Sequence, residues 1–337
     1  MQTEPLQTPL HCPGTESEQA GRDSACEGCP NQEICQSRPK GPDPDIPLIT
    51  EALKDIRHKV LILSGKGGVG KSTFTSLLAA LIADAEVDKQ FGMIDIDFCG
   101  PSLARIAGVQ NEQCFGRDAK WTPVYAESNL GVMSISHMLP TTDQPVIWRG
   151  DKKTGLIKQF LTNVDWGEEG LDMLFVDTPP GTSDEHISLA QYLKPSGGYG
   201  ALIVTTPQEV ALQDVRKQID FCQKAGIPIF GIVENMAGFV CPSCGGKSDI
   251  FVAGTGGGRA LAEETGVPFM GSVPLDPRVG MCADSGKDFL TDYSASPATL
   301  AIKNVAVNLL TEMGIELPEY LEEPEPAIEP AQKTVAV

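Results

Sequence analysis

From Val60 to Met313 short apolar runs alternate with segments whose apolar residues recur every three or four positions. The runs Val60–Leu63, Gly92–Ile96, Leu130–Ile135, Met173–Val176, Ala201–Thr205, Pro228–Glu234 and Phe269–Val273 predict strands. Helical periodicity marks Lys71–Asp84, Leu156–Asn163, Asp184–Leu193, Glu209–Ala225, Arg259–Thr265 and Pro297–Met313. Strands this uniformly apolar, separated by amphipathic helices, imply an α/β fold: a mostly parallel, doubly wound sheet covered on both faces. Ligands in such sheets bind at the carboxyl ends of the strands, and the chemically suggestive residues fall there.

The flanks break the pattern. Residues 1–47 hold Cys12, Cys26, Cys29 and Cys35 among Gly, Pro, Glu and Gln, with almost no apolar periodicity. Burial alone cannot fold such a segment, and a metal centre can supply the missing order. Pro39 to Pro47 reads as a stiff, extended linker. Residues 48–314 form the expected main domain. Residues 315–337, with Glu316, Glu319, Glu322, Glu323, Glu325 and Glu329 among prolines, read as a disordered acidic tail that serves solubility rather than docking.

Charge narrows the partners. The chain has 26 Lys and Arg against 45 Asp and Glu, a formal charge of −19, which argues against nucleic acid and against an anionic membrane. No run of 18 apolar residues suggests a transmembrane helix. The start Met1-Gln-Thr-Glu-Pro5 lacks signal-peptide and transit-peptide features, so the cytosol is the expected compartment. Thiols there stay reduced, and the clustered ones among the ten cysteines point to metal rather than disulfides. The isolated Cys99, Cys114, Cys222 and Cys282 read as small apolar side chains, and His11, His58, His137 and His186 as surface or packing residues.

The spacing Gly65-x-x-x-x-Gly70-Lys71-Ser72, between an apolar strand and a helix, fits a phosphate-binding P-loop. Backbone N–H groups of Gly65, Lys66, Gly67, Gly68, Val69 and Gly70 would curl around the phosphates, and the helix beginning Lys71-Ser72-Thr73 adds partial positive charge. Lys71 and a Ser72-bound magnesium would balance the outer phosphates. Lys66 cannot easily reach the phosphates of its own loop. It marks the deviant P-loop that this stretch resembles, that of the MinD/Mrp-like ATPases, where it is implied to cross a dimer interface and act on the partner's nucleotide. The bland alternative is a Gly-rich turn without nucleotide.

Three further segments suit a Mg-dependent ATPase. Asp95 and Asp97 close a strand; taken alone they could be ordinary turn residues. The resemblance implies that Asp97 positions the attacking water and that Asp95 supports magnesium. Asp177 ends the apolar strand Met173–Val176 in the Walker-B manner, holding magnesium through water, and Gly181 can present a backbone N–H to the γ-phosphate. Asn235 is assigned to adenine by the resemblance alone, with Pro274 and Asp276 as weaker borders of the base.

The N-terminal spacing Cys12-x₁₃-Cys26-x₂-Cys29-x₅-Cys35 is enough for tetrahedral zinc or a [4Fe–4S] cluster, and spacing does not choose between them. Cys241-Pro-Ser-Cys244 supplies two thiolates, half a site, which a two-fold dimer would complete; a zinc knuckle or a redox dithiol is the structural alternative.

With the string Asp177-Thr-Pro-Pro-Gly-Thr-Ser-Asp184, these motifs resemble the larger, eukaryotic nucleotide-binding scaffold of cytosolic iron–sulfur protein assembly, in the Mrp/nucleotide-binding-protein family. The resemblance runs from about Cys12 to about Leu310. It implies a stable [4Fe–4S] cluster on Cys12, Cys26, Cys29 and Cys35. It also implies a labile one bridging two subunits through Cys241 and Cys244, passed on to cytosolic and nuclear apoproteins. ATP, Mg²⁺, and a shorter paralogous subunit or a second copy as partner follow from the same resemblance, as do downstream targeting factors. The chief alternative is a MinD/ParA-like positioning ATPase with structural zinc; the acidic, Pro-rich end counts against it. A reductase like the nitrogenase iron protein fits less well, because its bridging cysteines come from separate segments.

Overall fold

The computed structural model describes residues 19–29, 32–37, 43–117, 120–139, 150–241 and 244–322. The chain divides into two compact units, 1–47 and 48–337. In the first, a 3₁₀ turn at Ser24–Cys26 is capped by the Asp23 carboxylate, which accepts from Ala25 N at 2.8 Å. Helix α1 (Gln32–Ser37) follows. The backbone passes so close that a Cβ on Gly21 would lie 2.6 Å from Gln32 O, so this turn requires glycine, at φ +73°.

The second unit begins within α2 (Ile46–Ala52), whose residues span the division between the units. Its first half runs β1 (Ile56–Leu63), α3 (Lys71–Ala85), β2 (Phe91–Asp95) and α4 (Leu103–Ile106). It continues through β3 (Phe115–Arg117), β4 (Lys120–Thr122), β5 (Val124–Glu127), β6 (Leu130–Met133) and α5 (Gly150–Asn163). The second half runs β7 (Leu171–Asp177), α6 (Asp184–Leu193), β8 (Tyr199–Thr205), α7 (Glu209–Ala225), β9 (Ile229–Val240) and β10 (Lys247–Ser248). It closes with α8 (Gly257–Thr265), β11 (Phe269–Leu275), α9 (Pro277–Ser285), α10 (Phe289–Asp292), α11 (Pro297–Glu312) and α12 (Glu319–Glu322).

One sheet organises this unit, in the order β10-β9-β8-β1-β7-β2-β6-β5, with β11 also paired to β9. All pairings are parallel except β5 with β6 and β10 with β9. Central strands are buried on both faces: Val60, Leu61, Ile62 and Leu63 are each at most 1 % exposed, which is why β1 reads as a continuous apolar run. Helix α3 turns Phe74, Leu78, Leu81 and Ile82 toward the sheet. That spacing is one helical face, each side chain contributing roughly 1.5–3 kcal/mol relative to exposure.

Differences from the sequence pattern have local causes. Strand β9 runs to Val240 rather than ending at Glu234, because β11 and β10 pair with its second half. The β3–β4 hairpin is too short for a periodic signal. Helix α9 begins at Pro277 behind an Asp276 cap, a start signal that outweighs its weak apolar pattern. Residues 315–322, expected in the disordered tail, include α12, whose Leu321 is buried and whose Tyr320 ring lies 4.5 Å from Lys303 Nζ; residues 323–337 lie outside the described residues. No helix among the described residues is long and apolar enough to cross a membrane.

Candidate functional site

At the carboxyl end of β1 the chain turns through Ser64 to Gly70 and enters α3. Gly70 occupies the N-cap at φ +81°, where a Cβ would also strike Asn235 Nδ2 at 2.5 Å; only glycine satisfies both conditions. Gly65 is constrained differently, since its Cβ would lie 2.6 Å from Asp214 Cβ on α7. The loop therefore has α7 tight against its first residues and β9 against its last.

Lys71, Ser72 and Asp177 meet as expected of phosphate and magnesium machinery. Lys71 Nζ lies 2.6 Å from Asp177 Oδ1, and Ser72 Oγ donates to Asp177 Oδ2 at 2.6 Å. Thr75 Oγ1 adds a third bond to Oδ1 at 3.0 Å. Asp95 is the register partner of Asp177 on the adjacent strand, so two buried carboxylates stand side by side. Burial, then the Asp177 charge, push Asp95 up to about 8. Asp95 accepts from Leu103 N at 3.2 Å, Ser134 Oγ at 3.3 Å and Asp97 N at 3.1 Å. Asp97 stands half-exposed beyond it, its Oδ1 accepting from Gly100 N at 3.2 Å.

Lys66 is turned onto its own chain. Its Nζ pairs with Asp214 at 2.9 Å while the side chain remains 41 % exposed. Asp214 also accepts from Lys217 at 2.8 Å, and hydrogen bonds from Lys217 first and Lys66 second hold its carboxyl below the usual range. Gly181 likewise faces its own loop: its N–H donates to Ser64 O at 2.8 Å. Asn235 Nδ2 donates to Val69 O at 2.9 Å. Beside it opens a cavity of about 240 Å³ lined by Gly70, Thr73, Asn235, Met236, Pro274 and Asp276, the surroundings the sequence reading gave the base. Asp276 is held by the Arg278 guanidinium at 2.6 and 2.9 Å. Met236 sits at φ +56°, the one non-glycine in the left-handed region among the described residues, a strained position of the kind that gathers at ligand sites.

Several residues that brace or line this site are not marked by the sequence pattern. Thr75 lies four positions beyond Lys71 on the same helical face, a signal that was available. Asp214, Gln218 and Met236 had no local signal, because their roles arise from α7 and β9 crossing the P-loop.

The second cysteine pair crowns a hairpin. Strand β9 ends at Val240; Cys241 N donates to Gly246 O at 2.9 Å and Gly245 N to Cys241 O at 2.8 Å, before β10 returns. Cys241 is half-buried and Cys244 exposed; Pro242 and Ser243 lie outside the described residues. In the first unit Cys26 is buried, Cys29 and Cys35 are half-buried, and Cys29 N donates to Cys26 O at 3.1 Å; Cys12 lies outside the described residues. Among the described residues no three His, Cys, Asp or Glu side chains gather as a metal site. The donor chemistry fits iron or zinc, but no described set closes one within a single chain. Of the isolated cysteines, Cys222 and Cys282 are buried as expected, Cys114 is half-buried and Cys99 exposed. His137 and His186 are buried packing residues.

A glycine-rich loop opening a helix, its lysine and serine both meeting an aspartate at the next strand end, within a parallel sheet, defines a P-loop NTPase of MinD/ParA fold. Solved structures agree. MinD from Pyrococcus horikoshii, complexed with Mg-ADP, matches at 21% identity and TM-score 0.53, covering 77% of this chain and 99% of that one. MinD from Aquifex aeolicus matches at 21% and 0.53, covering 77% and 98%. A nucleotide-binding protein from Archaeoglobus fulgidus, in complex with ADP, is 35% identical with TM-score 0.60, covering 72% of this chain and 91% of its own. The family model described as ParA: NUBPL iron-transfer P-loop NTPase matches residues 55–310. The chain belongs to that family and is a nucleotide-binding NTPase.

Proposed function

We propose that this chain is an ATP-hydrolysing scaffold on which [4Fe–4S] clusters are assembled and transferred to cytosolic and nuclear apoproteins. The observation that carries the reading is β9, which has Asn235 at the nucleotide cavity and runs directly into the Cys241–Cys244 turn. Five residues of β9, 236–240, separate Asn235 from Cys241, a reach of at most about 20 Å. Pairing with β11 and β10 continues along this stretch, which gives a shift at the base end a backbone route to the thiols. The family's description as iron-transfer NTPases supports iron as the cargo.

In this reading Ser72 and Asp177, backed by Asp95, would hold magnesium, which would supply positive charge to the nucleotide's phosphates. Lys71 leaves Asp177 for the phosphates, and Asp97 orients the attacking water. Lys66 leaves Asp214 and reaches the partner's nucleotide across a two-fold dimer. The same symmetry brings two Cys241–Cys244 pairs together as four thiolate ligands for the transferable cluster. The partner is a second copy or a shorter paralogous subunit. Cys12, Cys26, Cys29 and Cys35 would hold a resident cluster.

The test is metal and acid-labile sulfide analysis of anaerobically reconstituted protein and of Cys241→Ala/Cys244→Ala. The wild type should carry iron and sulfide in both sites, and the double variant should keep only the N-terminal share. Stoichiometric zinc without iron, or equal loss from both sites, overturns the proposal.

A further inference from the structure

Helix α7 places one polar side chain against the nucleotide switch. Gln218 is 1 % exposed, and its Nε2 donates to two carbonyls, Gly181 O at 2.6 Å and Ser64 O at 3.2 Å. Two acceptors facing the amide fix its orientation, since the reversed amide would set oxygen against oxygen. Its Oε1 is buried and accepts no hydrogen bond. A buried glutamine with an orphan acceptor is costly, and packing alone would favour an apolar side chain here.

The two carbonyls belong to the end of β1 and to the loop after Asp177, which also meet through the Gly181 amide. Ser64 is the residue before Gly65 and is itself 1 % exposed. Its carbonyl receives two donors, Gly181 N at 2.8 Å and Gln218 Nε2. For the Gly181 amide to meet a γ-phosphate it must leave Ser64 O. A buried carbonyl stripped of its donor opposes that movement. With Gln218 in place Ser64 O keeps a partner, and the carbonyl of Gly181 stays tethered as its peptide turns.

We propose that Gln218 is a positioning residue of the hydrolysis reaction, holding Ser64 O and Gly181 O so that the Gly181 N–H is free to swing to the γ-phosphate. This rests on the reading of Gly181 as a γ-phosphate contact. Gln218 touches neither the base cavity nor Lys71, so it acts on the ATP-bound switch and not on nucleotide affinity in general.

The test is Gln218→Met, which keeps the shape and removes both hydrogen bonds. Phosphate release from Mg-ATP should fall about tenfold in kcat, while ADP affinity by titration calorimetry and the ATP KM stay within about twofold. A merely structural role would lower ADP affinity and thermal stability together. Should Gln218→Met not fold, Gln218→Asn, too short to reach both carbonyls, carries the same test. Gly181→Ala, strained at φ +80°, separates the readings. If it abolishes turnover while the Gln218 variants hydrolyse like wild type, the role of Gln218 is overturned and that of Gly181 stands. If Gly181→Ala also leaves turnover unchanged, the γ-phosphate reading falls and the Gln218 proposal with it.

Discussion

The phosphate cradle and the cysteine hairpin lie on the same sheet and are built on opposite principles. In the cradle the inner charges, Lys71, Asp177 and Asp95, are buried and set against one another within the chain: Lys71, Ser72 and Thr75 converge on Asp177, beside Asp95. In the hairpin, two backbone hydrogen bonds shape the turn and leave Cys241 half-buried and Cys244 exposed. A site that must recruit a ligand of several charges without unfolding needs its own charges balanced beforehand. A site that must release its cargo is better left open and incomplete. Under the proposed function, the cradle exchanges Lys71's contact with Asp177 for nucleotide, and the hairpin presents its thiols to a partner.

The largest expected effect comes from breaking the balance in the cradle. Lys71→Ala leaves Asp95 and Asp177 buried together without their cation, and urea unfolding without nucleotide should show a loss of about 3–5 kcal/mol. The corresponding removal in the hairpin, Cys244→Ser in metal-free protein, should stay within about 0.5 kcal/mol, as for surface substitutions. Comparable losses at both positions would show that the hairpin is part of the folded core and would dissolve the contrast.

The two regions also differ in how much of them the sequence discloses. P-loop chemistry is local: the loop, its strand and its helix adjoin in the chain, so Gly65 to Thr73 could be assigned from spacing. Asp177 was legible because an apolar strand ending in Asp is short-range, and helix Glu209–Ala225 was placed to the residue by strong periodicity and a following Gly226. What could not be read is what crosses: Lys66 paired with Asp214 and Gln218 bonded to Ser64 are contacts spanning more than one hundred residues of chain. The extension of β9 to Val240 was invisible for the same reason, since its partners β10 and β11 define it. The cysteine pattern discloses ligand chemistry, while closure of a site is a property of assembly.

The balance within the cradle should also appear as pH dependence of stability. Asp95, raised to about 8 from an ordinary value of 3.8, keeps a proton in the native state that the unfolded chain has released. Stability then falls as pH rises between the two values. Burial pushes His137 and His186 down to about 4 from 6.5, so the unfolded chain binds more protons between those values and stability falls as pH drops. Two histidines outweigh one aspartate below 6.5, and above it the aspartate dominates until about pH 8, where Lys59, lowered to about 8 by burial, begins to oppose it. The unfolding free energy from urea titrations should peak near pH 6.5 and decline by on the order of 1–2 kcal/mol toward pH 8. Asp95→Asn should flatten the decline and leave the acid limb. An unchanged alkaline limb in that variant would mean that Asp95 is ionised in the native cradle.

The smallest effect on stability, and the sharpest on the contrast, concerns Lys66. It belongs to the P-loop by sequence yet behaves like the hairpin: it is partly exposed, and its partner is replaceable. Asp214 holds it through an ion pair at 2.9 Å with the lysine 41 % exposed, a pairing worth little in water. Asp214→Ala should therefore leave the urea unfolding curve close to that of the wild type. Its consequence should be kinetic. A lysine no longer held by its own chain is available to a second subunit, so ATP turnover at high protein concentration should rise about two- to threefold. Dilution should remove the gain, because it separates the subunits. Lys66→Ala in the same background should remove it at every concentration. A gain that persists on dilution would assign Lys66 to its own nucleotide and leave the hairpin as the one region that looks outward.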